Sequence, residues 1–327
     1  MRTPGFWYRP AGALAALLAP LGMAYGLGGR LRMGSAMPVQ AGVPVVCVGN
    51  LVAGGAGKTP VALAVMDGLA RRGIAAHFLT RGHGGRERGP LRVDPGRHDH
   101  AAVGDEALLL ARRAPCWLAR DRAAGAAAAV ADGAEGIVMD DGFQNPGLAK
   151  DLSLVVVDGG AGFGNGRLIP AGPLREPVAR GLARADALVI LGHDETRVSD
   201  SAGALPILRA RLEPAPEAQD LRGRTVLAFA GIGRPAKFFE TLRRLGAVVA
   251  AAIPFPDHHP YAPEEAMRLL ELAQAAGAIP VTTEKDAVRL PAEVRDQVQV
   301  VRVSVSWENP SLLDGLLARI LAPREAA

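Results

Sequence analysis

Val43-Pro-Val-Val-Cys-Val-Gly-Asn-Leu-Val-Ala-Gly-Gly-Ala-Gly-Lys-Thr-Pro60 decides the fold class. The apolar run 43–48 ends at Gly49, the pattern of a strand buried on both faces of a parallel sheet. Glycines 54, 55 and 57 then allow backbone N–H groups to turn inward around phosphate oxygens. A helix predicted over 60–72 follows and adds positive potential at its start. The pattern G-x-x-x-x-G-K-[ST] expects a glycine where Val52 stands, so this is a variant with its glycines displaced toward the lysine. Val52, Ala53, Gly54, Gly55, Ala56, Gly57, Lys58 and Thr59 are therefore read as the phosphate cradle. Lys58 is expected to reach the β- and γ-phosphates of ATP, and the Thr59 hydroxyl to ligate Mg²⁺. Pro60 is tolerated in the first turn of a helix, where its missing N–H has no intrahelical partner to lose.

Outward from this loop the chain alternates strands and helices. Strands are predicted at 76–80, 116–119, 136–139, 152–157 and 187–191, with helices at 105–113, 122–131 and 177–185. This is an α/β fold with a mainly parallel sheet of P-loop NTPase type. The stretch 206–212 reads as an extended connector and the polar, Pro-containing run to 224 as a boundary. A second, smaller α/β unit follows, with strands at 225–230, 248–254, 279–283 and 298–305 and helices at 237–245, 263–275 and 312–321. The expected units are thus an N-terminal segment 1–33, a kinase-type domain 34–205, a linker 206–224 and a C-terminal domain 225–327. The Gly-, Arg- and His-rich segment 82–104 shows no apolar period and reads as a long loop of functional type.

Carboxylates fall where a nucleotide site needs them. Asp140 and Asp141 close the strand 136–139. Asp140 is placed to hold Mg²⁺, and Asp141 one residue nearer the substrate. Asp158, closing the strand 152–157, is a lesser metal-ligand candidate. Asp105 opens a helix, where a first-turn acid is favoured by the helix dipole alone. In a kinase it is also a candidate to take the proton of the attacking hydroxyl.

The chain has 327 residues, 37 Lys+Arg and 33 Asp+Glu. No acidic residue occurs in the first 66, which hold Arg2, Arg9, Arg30, Arg32 and Lys58, leaving the remainder near neutral. That distribution excludes a broad nucleic-acid face, which needs clustered cations on a folded surface. It favours an anionic membrane surface. The uncharged run 10–29 has signal-peptide, membrane-spanning, interfacial and packed-helix readings. The interfacial one is favoured, because Leu14, Leu17, Leu18, Leu21 and Tyr25 share a face. Cys47 and Cys116 sit in separate apolar runs and read as buried thiols.

Further motifs bring in a resemblance. The phosphate loop resembles that of the tetraacyldisaccharide 4′-kinase family of lipid A biosynthesis. So do Arg81-Gly-His-Gly-Gly85, Val103-Gly-Asp-Glu106, Asp140-Asp-Gly-Phe-Gln144 and the run from Phe163 to Pro177. Phe255-Pro-Asp-His-His259 and Thr282-Thr-Glu-Lys-Asp286 extend it into the second half, and Phe6-Trp-Tyr-Arg9 to the start. The resemblance implies transfer of the ATP γ-phosphate to the 4′-hydroxyl of a tetraacyl glucosamine disaccharide 1-phosphate. It implies an enzyme on the cytoplasmic face of the inner membrane, peripheral or monotopic, with no obligate protein partner expected. It implies Asp105 as the base, Asp141 and His258 linked to catalysis, and Arg175 and Glu176 in the active site. Asn145, His83 and Arg234 depart from the family's usual His, Tyr and Asn. The alternative is a membrane-associated P-loop ATPase or GTPase switch that phosphorylates no small molecule. Its guanine-reading form is disfavoured because Lys285 adjoins Asp286, the wrong spacing.

Overall fold

The computed structural model describes residues 4–322, so Arg2 of the basic N-terminus lies outside the described residues. The first half runs α1 (Ala13–Gly34), β1 (Val45–Gly49), α2 (Lys58–Ala70), β2 (Ala76–Thr80), β3 (Leu91–Arg92), α3 (His100–Val103), α4 (Asp105–Ala111), β4 (Cys116–Leu118), α5 (Arg122–Ala131), β5 (Gly136–Asp140), β6 (Leu152–Asp158), α6 (Val178–Leu182) and β7 (Ala187–Leu191). It continues through β8 (Ile207–Pro214), β9 (Thr225–Ala230), α7 (Pro235–Arg244), β10 (Val248–Pro254), α8 (Pro263–Ala275), β11 (Ile279–Thr283), α9 (Glu284–Ala287), α10 (Ala292–Arg295), β12 (Gln299–Val301), β13 (Val303–Trp307) and α11 (Pro310–Leu321).

A nine-stranded sheet has the order β13-β8-β7-β6-β1-β5-β2-β4-β3 and is parallel except at its two edges, where β13 and β3 run antiparallel. β1, β5 and β7 are buried along their whole length, as strands covered by helices on both faces must be. In register, Val48 lies beside Asp140, so the phosphate loop and the paired aspartates leave adjacent strands at the same edge. β1 also pairs with β6 on its other side. Chain connections leave β1 in one direction and β6 in the other, which makes the crevice at their carboxyl ends the natural ligand site. A second sheet, β10-β9-β11-β12, is wholly parallel.

The structure departs from the sequence reading at several borders and within one loop. The stretch 206–224 is more than a linker. β8 is a full member of the large sheet, with Leu208 and Ala210 buried and Arg209 and Arg211 outside. Ala218 and Leu221 join the core of the small sheet. The strand expected at 298–305 is two strands in two sheets: β12 pairs with β11, and β13 pairs with β8. The chain returns to the large sheet after Arg302, and α11 packs there through Leu313 and Leu317, with Arg72 bound to Asp314 at 2.6 Å. The unit expected over 225–327 therefore gives its last strand and helix to the first sheet. The segment 82–104 is not all loop, since it carries β3 and α3. The helix expected at 177–185 is the shorter α6.

α1 is long and apolar enough to cross a membrane. Only Ala15 and Gly22 in it are buried. Its contact with the protein uses small residues: a Cβ on Gly26 would come 2.6 Å from Leu168 Cδ1. Of the residues expected on one face, Leu14, Leu17, Leu21 and Tyr25 are exposed and Leu18 is half-buried; Leu27 and Leu31 are exposed as well.

Candidate active site

The phosphate loop is shaped by two glycines that carry positive φ. Gly57 caps α2 at φ 82°, and a Cβ there would also lie 2.4 Å from Leu191 Cδ1. Gly54 has φ 117°. L-residues rarely adopt either conformation. α2 begins at Lys58, two residues before the predicted start, so its first N–H groups face the loop. Val52 and Ala53 face elsewhere: Val52 bridges to Leu174, and Ala53 donates its N–H to Pro173 O at 2.7 Å. The loop is thereby tied to the segment that carries Arg175.

Lys58 is buried, with Nζ 3.6 Å from Asp141 Oδ1. Thr59 donates its hydroxyl to Asp140 Oδ2 at 3.2 Å. Asp140 is 1 % exposed, and its Oδ1 is buried without a hydrogen-bond partner. Burial pushes its carboxyl up to about 7, and the negative charge of Glu106 adds to the shift. A hydroxyl and an orphaned carboxylate oxygen side by side fit a hard divalent cation such as Mg²⁺.

Asp141 adopts φ 53°, uncommon for a residue with a side chain, and meets Arg175 through both oxygens, at 2.7 and 3.3 Å. Burial would raise its carboxyl, but Lys58 and Arg175 outweigh that and hold it well below the usual range. Gln144 fixes the arrangement. It donates to Asn50 O at 2.8 Å and Glu176 Oε1 at 3.1 Å, and accepts from Arg175 at 3.3 Å. Glu176 is bound in turn by Arg184 at 2.5 Å, whose guanidinium stacks over the Phe143 ring.

The other wall comes from two sheets. Asp105 opens α4, is 5 % exposed, and bonds His258 Nδ1 at 2.9 Å. Burial opposes ionisation, yet the His258 bond, Lys285 and Arg289 hold the Asp105 carboxyl down to about 2. The same bond raises His258 against the opposing effect of burial. His258 has φ 57° and sits edge-on to His83, 5.9 Å between ring centroids. Next to Asp105, Glu106 binds Lys285 at 2.8 Å, which holds the Glu106 carboxyl low and the Lys285 ammonium high.

Lys58, Thr59, Asp140, Asp141, Arg175 and Glu176 thus gather at the carboxyl edge of the large sheet, and Asp105 and His258 meet across the two sheets. Asp158 does not join the Asp140 oxygens: it pairs with Lys237 at 2.5 Å and Arg234 at 3.0 Å, cations of the small-sheet region. His259 turns away, bound to Glu265 at 2.5 Å and stacked on Phe255. Gln144, Glu106 and Lys285 stood in quoted motifs without a role. Arg289 lay outside every motif, and only its burial reveals it.

A family model described as tetraacyldisaccharide-1-P 4′-kinase matches residues 14–321. The tetraacyldisaccharide 4′-kinase of Rhodospirillum centenum is 60 % identical over 99 % of this chain and 98 % of its own length. That of Rhodospirillum rubrum is 56 % identical over 99 % of each. Among solved structures, LpxK from Aquifex aeolicus in complex with ATP covers 94 % of this chain and 99 % of its own, with a TM-score of 0.76 and 29 % identity. The chain belongs to the tetraacyldisaccharide 4′-kinase family.

Proposed function

We propose that this chain transfers the γ-phosphate of ATP to the 4′-hydroxyl of a tetraacyl disaccharide 1-phosphate, with Asp105 as the base. The observation that carries this reading is the Asp105–His258 pair, 2.9 Å long and formed across two sheets, beside a phosphate loop whose lysine is buried.

The loop N–H groups and Lys58 bind the phosphates. Thr59 and Asp140 would hold Mg²⁺, which when bound offsets phosphate charge. Asp105, ionised at neutral pH, takes the proton as the 4′-oxygen bonds to the γ-phosphorus and the bond to the β,γ-bridging oxygen breaks, releasing ADP. His258 holds the carboxylate in place. Arg175, fixed by Asp141 and Gln144, meets charge on the transferring group. Little covalent chemistry is asked of the protein, so positioning and charge carry the rate.

The exposed leucines of α1 and the flanking Arg9, Arg30 and Arg32 support a seat on an anionic bilayer, at the cytoplasmic face where ATP is available. Removing residues 1–32 should abolish co-sedimentation with anionic liposomes; unchanged binding would refute that placement.

The deciding assay incubates ATP with purified tetraacyl disaccharide 1-phosphate and locates the added phosphate by mass spectrometry and fragmentation. Phosphate at the 4′ position is the expected result. ATP turnover that ignores the lipid, or a preference for GTP, would favour a switch-type ATPase or GTPase instead.

A further inference from the structure

Arg289 is 3 % exposed, and all three of its guanidinium nitrogens donate to partners. Nε donates to Lys285 O at 2.9 Å. Nη1 donates to Gly231 O and His259 O, each at 3.1 Å. Nη2 donates to Gly231 O and Asp286 Oδ1, again at 3.1 Å. Asp286 is fully buried and also accepts from Gly231 N and Tyr261 Oη, each at 2.7 Å. Its other oxygen accepts from Thr283.

These contacts converge on one short loop. His258 donates its own N–H to Gly231 O at 3.0 Å, the carbonyl that Arg289 grips. Arg289 also grips the carbonyl of His259, one residue on. His258, at φ 57°, is therefore held between two carbonyls fixed by a single buried fork. A side-chain residue in that conformation persists only where its surroundings over-determine it. The guanidinium also lies 3.6 Å from Asp105 Oδ2, so it fixes the small-sheet loop while facing the acid of the large-sheet domain.

We infer that Arg289 is a positioning residue for phosphoryl transfer: it sets the His258 loop against Asp105 without touching substrate. The inference rests on the reading of Asp105 as the base. It predicts a particular sensitivity. Lysine keeps the charge but has no planar fork, and cannot reproduce the bonds to Gly231, His259 and Asp286 together.

The test is steady-state kinetics of full-length Arg289→Lys, with folding checked by circular dichroism. The expected result is a kcat lowered roughly 10–100-fold, the scale of a small misplacement, with KM for ATP unchanged. A second variant approaches the same loop with Arg289 intact. In Gly231→Ala, the new Cβ would meet Pro256 O at 2.9 Å and His259 Cβ at 3.1 Å, displacing the loop. It should show the same split. A folded variant of either kind with kcat within about twofold of the parent would overturn the inference, as would a loss confined to KM. Asp105→Asn, assayed alongside, separates the two ideas. Full activity there removes the base assignment itself. Loss there, with Arg289→Lys unaffected, removes only the role of Arg289.

Discussion

The two walls of the site are built by opposite means. The nucleotide wall is local: Gly54, Gly57, Lys58 and Thr59 lie within six residues, and Asp140 and Asp141 join them through one strand pairing. The acceptor wall is assembled at long range. Asp105 and His258 stand 153 positions apart, and Glu106 and Lys285 stand 179 apart. A local wall keeps its shape as long as one strand–loop–helix unit is folded. A long-range wall exists only while two sheets are docked, so stability and chemistry are coupled there.

Mutations at the two walls should differ in kind. Lys58→Ala removes a charge from a preformed cradle and should lower kcat by about 10²–10³ while the melting temperature stays close to the parent's. A large drop in melting temperature there would break the contrast. Lys285→Met acts on the docked wall and leaves the half-buried Glu106 beside Asp105 without its cation. Because the pair is partly solvated, the expected loss is about 2–3 kcal/mol in urea unfolding, below the full cost of breaking a sealed pair. An unchanged midpoint would show that the sheets do not depend on this contact.

Acid should weaken the long-range wall. Asp105 ionises at about 2 when folded against 3.8 ordinarily, so its contribution is complete above the higher value and lost as pH falls through the lower. The contribution is about 2 kcal/mol. Unfolding free energies of the parent and Asp105→Asn should therefore converge between about pH 4 and pH 2. Curves that stay parallel would contradict the pairing with His258. The smallest effect belongs to Lys237→Ala at the rim, where a half-exposed lysine meets Asp158. About 0.5–1 kcal/mol is expected from denaturant unfolding, and a larger loss would make this contact part of the docking proper.

The same division explains what could be read from sequence. β2, β7, β9, β10, α8 and β11 run over the residues their apolar patterns predict, since each is defined by its own period. The phosphate loop was legible because its chemistry is contiguous. The sequence of β8 reads as a connector although Leu208 and Ala210 alternate with Arg209 and Arg211, because the prolines that follow look like a boundary. The division of 298–305 between two sheets has no local signal, since only Arg302 separates the two strands and nothing in either names the sheet it joins. In the site, Asp105 is a candidate from its place at a helix start, and the resemblance adds its role and His258, but motif order alone does not separate His258 from His259. Packing does: His259 is committed to Glu265 and Phe255. Arg289 is invisible in the sequence because a lone arginine in the turn after α9 differs from a surface arginine only once its burial is known.

In the proposed mechanism Asp105 accepts the proton of the 4′-hydroxyl while the nucleotide wall works independently of it. Single-turnover transfer by Asp105→Asn, with ATP affinity measured on the same sample, tests both halves. Parental ATP affinity is expected, with transfer slowed by about 10²–10⁴. Transfer at the parental rate, with the lipid phosphorylated at the 4′ position, would contradict it.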